Sequence, residues 1–432
     1  MKKYLKFLQK SLYALVLIVC FSLEGATVIH AGSLLDGTGS EPLREMSIVI
    51  DDQVIKRVEK GYIEPEPDDI YLDLTGYFVL PGLIDMHVHL SSEYSSKSYE
   101  ESISLNSSDY AIKAVANARK TLLAGFTSVR NLGDSGNVTV SLRNAIKKGI
   151  VPGPRIFSSG KTISSSGGHG DPTNSLRSDL SSDPGPAQGV INNSSDSFKA
   201  VRYRYKENAD LIKITATAGV LSNAKNGQNP QMTSEEISAI VSAARDYGFK
   251  VAAHAHGAEG IKRAVIAGVD SIEHGTLMDS EGMKLMREKG TYFVPTLLAG
   301  AWVADKAKTD GFFPELVRPK ALEIGPQSKT TFAKAYQAGV KIAFGTDTGV
   351  SSHGKNAEEF YEMVDAGMPE IQAILSATKE ASILLGQNSM LGSITVGKYA
   401  DIIAVSENPL ENIRTLEAVD FVMKSGDIYK SP

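Results

Sequence analysis

Pro81-Gly82-Leu83-Ile84-Asp85-Met86-His87-Val88-His89-Leu90 reads as a buried strand carrying two histidines. Side chains alternate along a strand, so His87 and His89 share one face while Met86, Val88 and Leu90 share the other. Two imidazoles on one rigid face can hold a metal ion. Two neutral histidines can equally be packed core residues, so the pair alone leaves both readings open. The metal reading requires further ligands on other strands.

Outward from this stretch the chain alternates strands and helices. Strands are predicted at Val79–Leu90, Thr127–Asn131, Arg155–Ser159, Ala209–Thr215, Lys250–His256, Ser271–His274, Tyr292–Thr296 and Lys341–Asp347. Ser108–Ala124 between them has helical apolar spacing, and Thr233–Tyr247 opens on a capping box of Thr233 and Glu236. Ala124-Gly125, Ala267-Gly268, Ala338-Gly339 and Ala366-Gly367 fit helix ends, where glycine takes the left-handed residue. Eight such units predict an α/β fold, a (β/α)8 TIM barrel over residues 80–391, with functional groups at the C-terminal strand ends.

Both flanks differ. Thr27–His30, Ser47–Asp51, Val54–Val58 and Tyr71–Asp73 are short β-like runs, as are Asp401–Val405, Ala418–Lys424 and Asp427–Tyr429. Neither flank suffices for a core of its own, so residues 24–79 and 392–432 are expected to pair as one small β-sandwich. Within the barrel, residues 160–197 form a long loop rich in Ser, Gly and Asp that includes Gly167-Gly168-His169-Gly170-Asp171, and a loop of this length is expected to be functional.

The N-terminus reads as a secretory signal. Four lysines precede residue 11, and Ser11–Phe21 is apolar but short for a membrane span. Residues 1–23 are therefore expected to direct export to a periplasmic or extracellular location, leaving no stable membrane span. The alternatives are an uncleaved anchor or a lipid on Cys20, since Glu24-Gly25-Ala26 is a poor cleavage site and Leu17-Ile18-Val19-Cys20 a weak lipidation motif. The formal charge of −5 and the lack of a dense basic patch beyond residue 10 exclude a nucleic-acid binder. Cys20 is the only cysteine, which excludes thiolate metal sites and a disulfide framework.

Of eight histidines, all but His30 lie near predicted strand ends or in the glycine-rich loops. The fourth strand carries Lys213 amid Leu211, Ile212 and Ile214, where an unpaired ammonium is costly. The fifth carries His254-Ala255-His256, the sixth Glu273-His274-Gly275, and the eighth ends in Gly345-Thr346-Asp347. Each piece is weak alone. Together, at the ends of five strands, they specify a site.

These residues carry a family resemblance. In Pro81–Leu90, Leu211–Ile214, Ala253–Gly257, Ile272–Gly275, Ala343–Gly349 and Gly392–Asp401 the chain resembles metal-dependent amidohydrolases, in the imidazolonepropionase-like and prolidase-like branch. The resemblance implies two divalent ions, usually zinc. His87, His89 and Asp347 would hold the first and His254 and His274 the second, with Lys213 carboxylated by CO2 as the bridge. The choice of His254 over His256 rests on the resemblance, because spacing does not separate them. Chemistry agrees on Lys213: an ammonium beside two dications is repelled, whereas a carbamate supplies two anionic oxygens.

The implied reaction is hydrolysis of a peptide or amide bond, by a hydroxide between the metals, with Asp347 as general acid and base. The implied substrates are dipeptides or N-acyl amino acids, as in Xaa-Pro dipeptidases. His169, His256 and His353 are expected substrate contacts. Arg202, Arg204 and Arg318 carry the guanidinium that suits a carboxylate, although the first two fall on the helix before strand four.

Three competing readings follow. Imidazolone ring opening or deamination uses one metal and lacks the strand-four lysine, so Lys213 argues against it. A lactonase or organophosphate esterase would use the same two-metal centre. A non-catalytic metal-binding protein conflicts with six filled ligand positions. Homo-oligomerisation is left open.

Overall fold

The computed structural model describes residues 25–39, 41–222 and 227–432. The secretion signal expected over residues 1–23 lies outside the described residues. No helix among the described residues is long and apolar enough to cross a membrane.

The N-terminal flank forms β1 (Thr27–Leu34), β2 (Leu43–Asp51), β3 (Val54–Lys60) and β4 (Ile70–Pro81). The barrel strands are β5 (Leu83–Val88), β6 (Phe126–Asn131) and β7 (Arg155–Ser158), then β10 (Ile212–Thr215), β11 (Val251–Gly257), β12 (Ser271–Leu277) and β13 (Tyr292–Val294). Two short strands, β8 (Ser164–Ser165) and β9 (Val190–Ile191), pair in the long loop after β7. The C-terminal flank supplies β14 (Ile402–Val405), β15 (Phe421–Lys424) and β16 (Asp427–Lys430).

The two chain ends do combine. Their strands form one seven-stranded sheet in the order β16-β15-β14-β4-β1-β2-β3. The expected sandwich is thus a single ladder folded over on itself. Ala400 N donates to Gln53 O and Gly397 N to Ile55 O, which brings the approach to β14 onto the β3 edge. The enclosed core includes Ile29, Ile48, Leu74, Ile402, Phe421 and Met423. Phe78, Leu80, Ile403, Val405 and Val422 belong instead to the main barrel core. The sheet therefore buries apolar residues on both sides, one toward itself and one toward the barrel.

The crossing into the barrel falls at Gly82, between β4 and β5. A Cβ there would collide with the Thr127 side chain on β6, so the close approach requires glycine. Barrel neighbours pair in parallel throughout. The stave expected at Lys341–Asp347 is present but irregular, joined through Phe293↔Ile342 and Val88↔Thr348. Met86 N→Phe344 O at 2.9 Å and Asp347 N→His87 O at 2.7 Å close the ring against β5. Asp347 itself turns left-handed, at φ 58°, and contact with the first stave continues beyond it through His89 N→Thr348 O at 2.7 Å. Between β7 and β10 the ring runs through Asp210 N→Ser158 O and through Ile163, which bonds Lys213 and Thr215.

Local signals act as expected. The capping box on helix Ser234–Asp246 forms, with Thr233 N→Glu236 Oε2 at 2.8 Å and Glu236 N→Thr233 Oγ1 at 3.2 Å.

One ion pair fastens the sheet to the barrel. Arg155 on β7 donates to Asp401 Oδ2 at 2.7 Å, Ser128 Oγ at 2.9 Å and Ser425 Oγ at 2.7 Å, with its guanidinium 4.6 Å from the Tyr399 ring. Asp401 is 6% exposed and the Arg155 side chain 23%, so removing the carboxylate charge leaves a partly buried guanidinium without its counter-ion. Asp401→Asn is expected to cost about 3 kcal/mol of stability. Urea denaturation followed by circular dichroism reads this, and an unchanged midpoint would show that the apolar contacts alone dock the two parts.

Candidate metal centre and substrate cavity

His87 on β5 and His89 just beyond its end lie at the C-terminal mouth of the barrel. His89 Nε2 is 3.1 Å from Asp347 Oδ1, and His87 Nε2 is 3.5 Å from the same oxygen. One donor atom from each of His87, His89 and Asp347 lies within 4.8 Å of the others, a spacing that can hold a metal ion. Lys213 Nζ is 3.4 Å from His87 Nε2. The His274 ring centre stands 5.0 Å from that of His87 and 4.7 Å from that of His254. His256 is 4.7 Å from His254 and 5.0 Å from His274, and His169 is 4.4 Å from His254. These eight residues line a single cavity of about 770 Å³.

His353 is not brought there. It is buried outside the cavity lining, with Nε2 bonded to Ser92 O at 2.9 Å and its backbone N–H donated to Glu93 Oε2. Its contacts tie the segment after Asp347 to the loop after β5, which corrects the expectation of a substrate contact. Arg202, Arg204 and Arg318 are also absent from the lining. Arg204 is fully buried on the carbonyls of Lys161 and Ala187, and Arg318 pairs with Asp310. The long loop does reach the cavity, through Lys161, Thr162, His169, Gly170, Pro172 and Leu176. His169 packs so closely on Gly219, after β10, that a Cβ at Gly219 would collide with its ring.

Burial dominates the electrostatics. It pushes His87 and His169 down to about 4 and His256 to about 3, with Lys213 adding to each shift. Burial likewise holds His254 and His274 well below the ordinary value. The imidazoles are therefore neutral at physiological pH and present lone pairs. Burial also lowers Lys213 to about 8, and no carboxylate among the described residues lies within ion-pair distance of it. Burial alone would raise Asp347, but His87, His89 and Lys213 outweigh it and keep the carboxyl ionised.

Most of these rings have one nitrogen tied to an outer partner. His87 Nδ1 meets Glu273 Oε2 at 2.9 Å, His89 Nδ1 meets Gly133 O at 3.3 Å and His254 Nε2 meets Ala218 O at 3.2 Å. Carboxylates and carbonyls only accept, so these nitrogens carry the proton. The bare lone pairs are then His87 Nε2, His89 Nε2 and His254 Nδ1. His256 Nδ1 and His274 Nδ1 meet the hydroxyls of Thr276 and Thr296, at 2.9 and 2.8 Å. A hydroxyl can donate or accept, so it does not decide the tautomer.

Sequence reasoning missed the residues beneath the site. Glu273 Oε1 accepts from Arg130 Nη2 at 2.8 Å and from Ser271 Oγ at 2.5 Å. Asp85 accepts from the backbone N–H of His87 and Thr346, from Thr346 Oγ1 and from Asn356 Nδ2. Glu273 and His274 are adjacent, so a regular strand would send them to opposite faces. His274 is left-handed, at φ 69°, and both side chains reach the interior. The available signal was the charge itself: Arg130, Glu273 and Asp85 interrupt strands that must be buried.

A family model described as the Amidohydrolase family matches residues 78–429. The chain is 32% identical to ochratoxinase of Aspergillus niger, over 94% of its own length and 87% of that protein. A crystal structure of a Xaa-Pro dipeptidase with methionine bound in its active site is similar at TM-score 0.92 and 55% identity, covering 94% of this chain and all (100%) of that one. A prolidase complexed with N-methylphosphonate-L-proline is similar at TM-score 0.85 and 31% identity, again over 94% and 100% of the two chains. The buried donor set at the barrel mouth thus has its counterpart in a sequence match across nearly the whole described chain, and the protein belongs to the amidohydrolase family, in its prolidase-like branch, as a hydrolase of carbon–nitrogen bonds.

Proposed function

We propose that the protein hydrolyses the amide bond of dipeptides or N-acyl amino acids at a centre of two divalent ions. The carrying observation is Asp347 Oδ1, which lies 3.1 Å from His89 Nε2 and 3.5 Å from His87 Nε2, with Lys213 Nζ 3.4 Å from His87 Nε2. His87, His89 and Asp347 would hold one ion, usually zinc in this family, and His254 and His274 the other.

The donor chemistry fits such a pair. Burial holds His87, His254 and His274 neutral, and His254 gives its Nε2 proton to a carbonyl, which leaves Nδ1 bare. That supports His254 over His256 as the ligand. Lys213 is buried with no carboxylate among the described residues within ion-pair distance, which is costly for an ammonium, and beside two dications a bridging carbamate would suit the position better. A binuclear centre of this kind acidifies a water and polarises the scissile carbonyl. Asp347 remains a carboxylate at neutral pH, so it can accept the water's proton and deliver it to the leaving nitrogen. His169 and His256, both neutral and both in the cavity lining, would donate hydrogen bonds to the substrate. The dipeptidase and ochratoxinase relatives support an amide substrate, and the strand-four lysine disfavours one-metal imidazolone chemistry.

The reading is tested with purified, metal-loaded protein against dipeptides including Xaa-Pro, N-acyl amino acids and lactones. Turnover of lactones with none of amides would reject it. Asp347→Asn is expected to lower kcat by about 10²–10⁴-fold while the fold is retained. Full activity in that variant removes Asp347 from the mechanism.

Glu273→Gln addresses the support of His87. Its amide cannot replace a carboxylate that faces both Arg130 and the His87 N–H. Metal affinity, read by chelator competition, is expected to fall about 10–100-fold. Affinity equal to that of the parent protein would show that His87 orients without this partner.

A further inference from the structure

The cavity has only two cationic side chains among its described lining residues, Lys213 and Lys161. Lys213 is taken up by the metal centre proposed above. Lys161 follows β7 and has no role in that centre. Its Nζ makes one long contact, to Ser135 Oγ at 3.4 Å. No carboxylate among the described residues lies within ion-pair distance of it, although an ammonium carries three donors.

The acids around it are directed elsewhere. Asp171 accepts from the Gly167 and Thr173 backbone N–H groups and from Thr173 Oγ1. Asp134 Oδ2 accepts from the Thr139 N–H at 2.6 Å and from its hydroxyl, while Asp134 Oδ1 is buried without a partner. Below lies a second cation, Arg204, whose guanidinium holds the Lys161 carbonyl oxygen at 3.0 Å. Burial first, and Arg204 second, lower the Lys161 pKa and outweigh the opposing pull of Asp134 and Asp171, so its ammonium is only partly compensated. An incoming anion supplies what is missing.

Its position relative to the metal ligands suits one anion. Gly133 O holds the His89 ring, and Asp134 N bonds Gly160 O at 3.1 Å. A Cβ at Gly133 would lie 3.8 Å from His89 Cε1 and against Thr162 Oγ1. Residues 133–135 and 160–162 are therefore the cavity wall beside His89. In an N-acyl amino acid the carboxylate carbon lies three bonds from the scissile carbonyl carbon, at most about 4 Å away. A substrate with that carbonyl at the metal centre could bring its free carboxylate to this wall, where Lys161 is the one cation of the described lining outside the metal centre. His169 is a poorer counter-ion, being neutral and tied to Ser222 Oγ.

We propose that Lys161, with the Ser135 hydroxyl beside it, binds the C-terminal carboxylate of the substrate and restricts the enzyme to N-acyl or N-aminoacyl amino acids with a free acid. This rests on the amide-hydrolase reading, and the test separates the two. The best N-acyl amino acid substrate and its C-terminal primary amide are compared on the parent protein, Lys161→Met and Lys161→Arg. The parent is expected to favour the acid at least about tenfold in kcat/KM. Lys161→Met should raise KM for the acid about 10–100-fold, with little effect on kcat or on the amide. Lys161→Arg should restore part of the loss.

Equal loss for acid and amide, or no loss, overturns the role of Lys161 and leaves amide hydrolysis standing. Equal parent rates on acid and amide overturn it even if the variants do not fold. If the parent cleaves no amide, calorimetric titration with N-acetyl-L-methionine and its amide decides. Acid-selective binding lost in Lys161→Met keeps the carboxylate site and discards the hydrolase reading. Binding without acid selectivity discards both.

Discussion

The carboxylate of Glu273 ties three barrel strands together beneath the metal-binding residues. Glu273, His87 and Arg130 are 0%, 1% and 2% exposed. Charges so placed cost several kcal/mol each unless their hydrogen-bonding capacity is met. Here it is met closely. Arg130 also gives Nε to Met86 O at 2.6 Å and Nη1 to Ser271 Oγ at 3.0 Å. Burial would raise the Glu273 carboxyl, but Arg130 and the His87 contact hold it well below the usual range. A slip of β5, β6 or β12 by one residue would break this set and leave a bare charge in the core. The register that places His87 is thus enforced from below, along with the tautomer that leaves Nε2 free.

Asp85 does the same work toward the eighth stave. That stave has little regular pairing, yet it carries Asp347. The four hydrogen bonds Asp85 accepts replace the missing ladder and fix Thr346 against β5. They also hold a strained backbone. Asp347, His274 and Thr296 are all left-handed, at φ 58°, 69° and 50°. Such conformations cost about 1–3 kcal/mol each and persist only where neighbours over-determine them. Thr296 is held in turn by Glu359, a buried carboxylate that accepts the N–H groups of Leu297 and Leu298, and Thr296 bonds His274. Irregular backbone at strand ends is what lets several donors converge on one point.

This division explains what could be read from the sequence. His87 and His254-Ala255-His256 lie in strands and His89 directly follows one, so alternation still puts each pair on one face, and both pairs line the cavity. Lys213 announced itself as a charge in an apolar run. Glu273 was hidden because its neighbour His274 breaks the alternation through a backbone angle that composition does not encode. Arg130 and Asp85 each depend on a partner more than a hundred residues away along the chain, Glu273 for the first and Thr346 for the second. His353 misled for the opposite reason. Its place after the eighth strand resembles that of a mouth residue, but the chain folds back beneath Ser92. The folded-over sheet likewise depends on contacts between the two chain ends, which local β patterns do not specify.

The cavity's floor and walls have different origins, and that bears on how substrates are chosen. The floor is made of barrel strands on which burial keeps His87, His254, His256 and His274 neutral and outer acceptors set the tautomers of His87 and His254, so its electrostatics are preorganised. One wall is apolar and belongs to a separate cluster: Tyr94, Val220 and Leu221 line the cavity, with Trp302, Phe312 and Phe313 packed behind them edge-on or tilted. The opposite wall is polar and comes from the loops after β6 and β7, with Asp134, Ser135, Lys161 and His169. Neither wall carries a residue of the Glu273 or Asp85 contacts. Changes in the walls can therefore alter shape and charge while the floor keeps its register, tautomers and strained backbone. A scaffold divided in this way accommodates relatives as different as a Xaa-Pro dipeptidase and an ochratoxinase. The chemistry is anchored in the part of the fold least free to vary, and selectivity rests in segments that can change without exposing a buried charge.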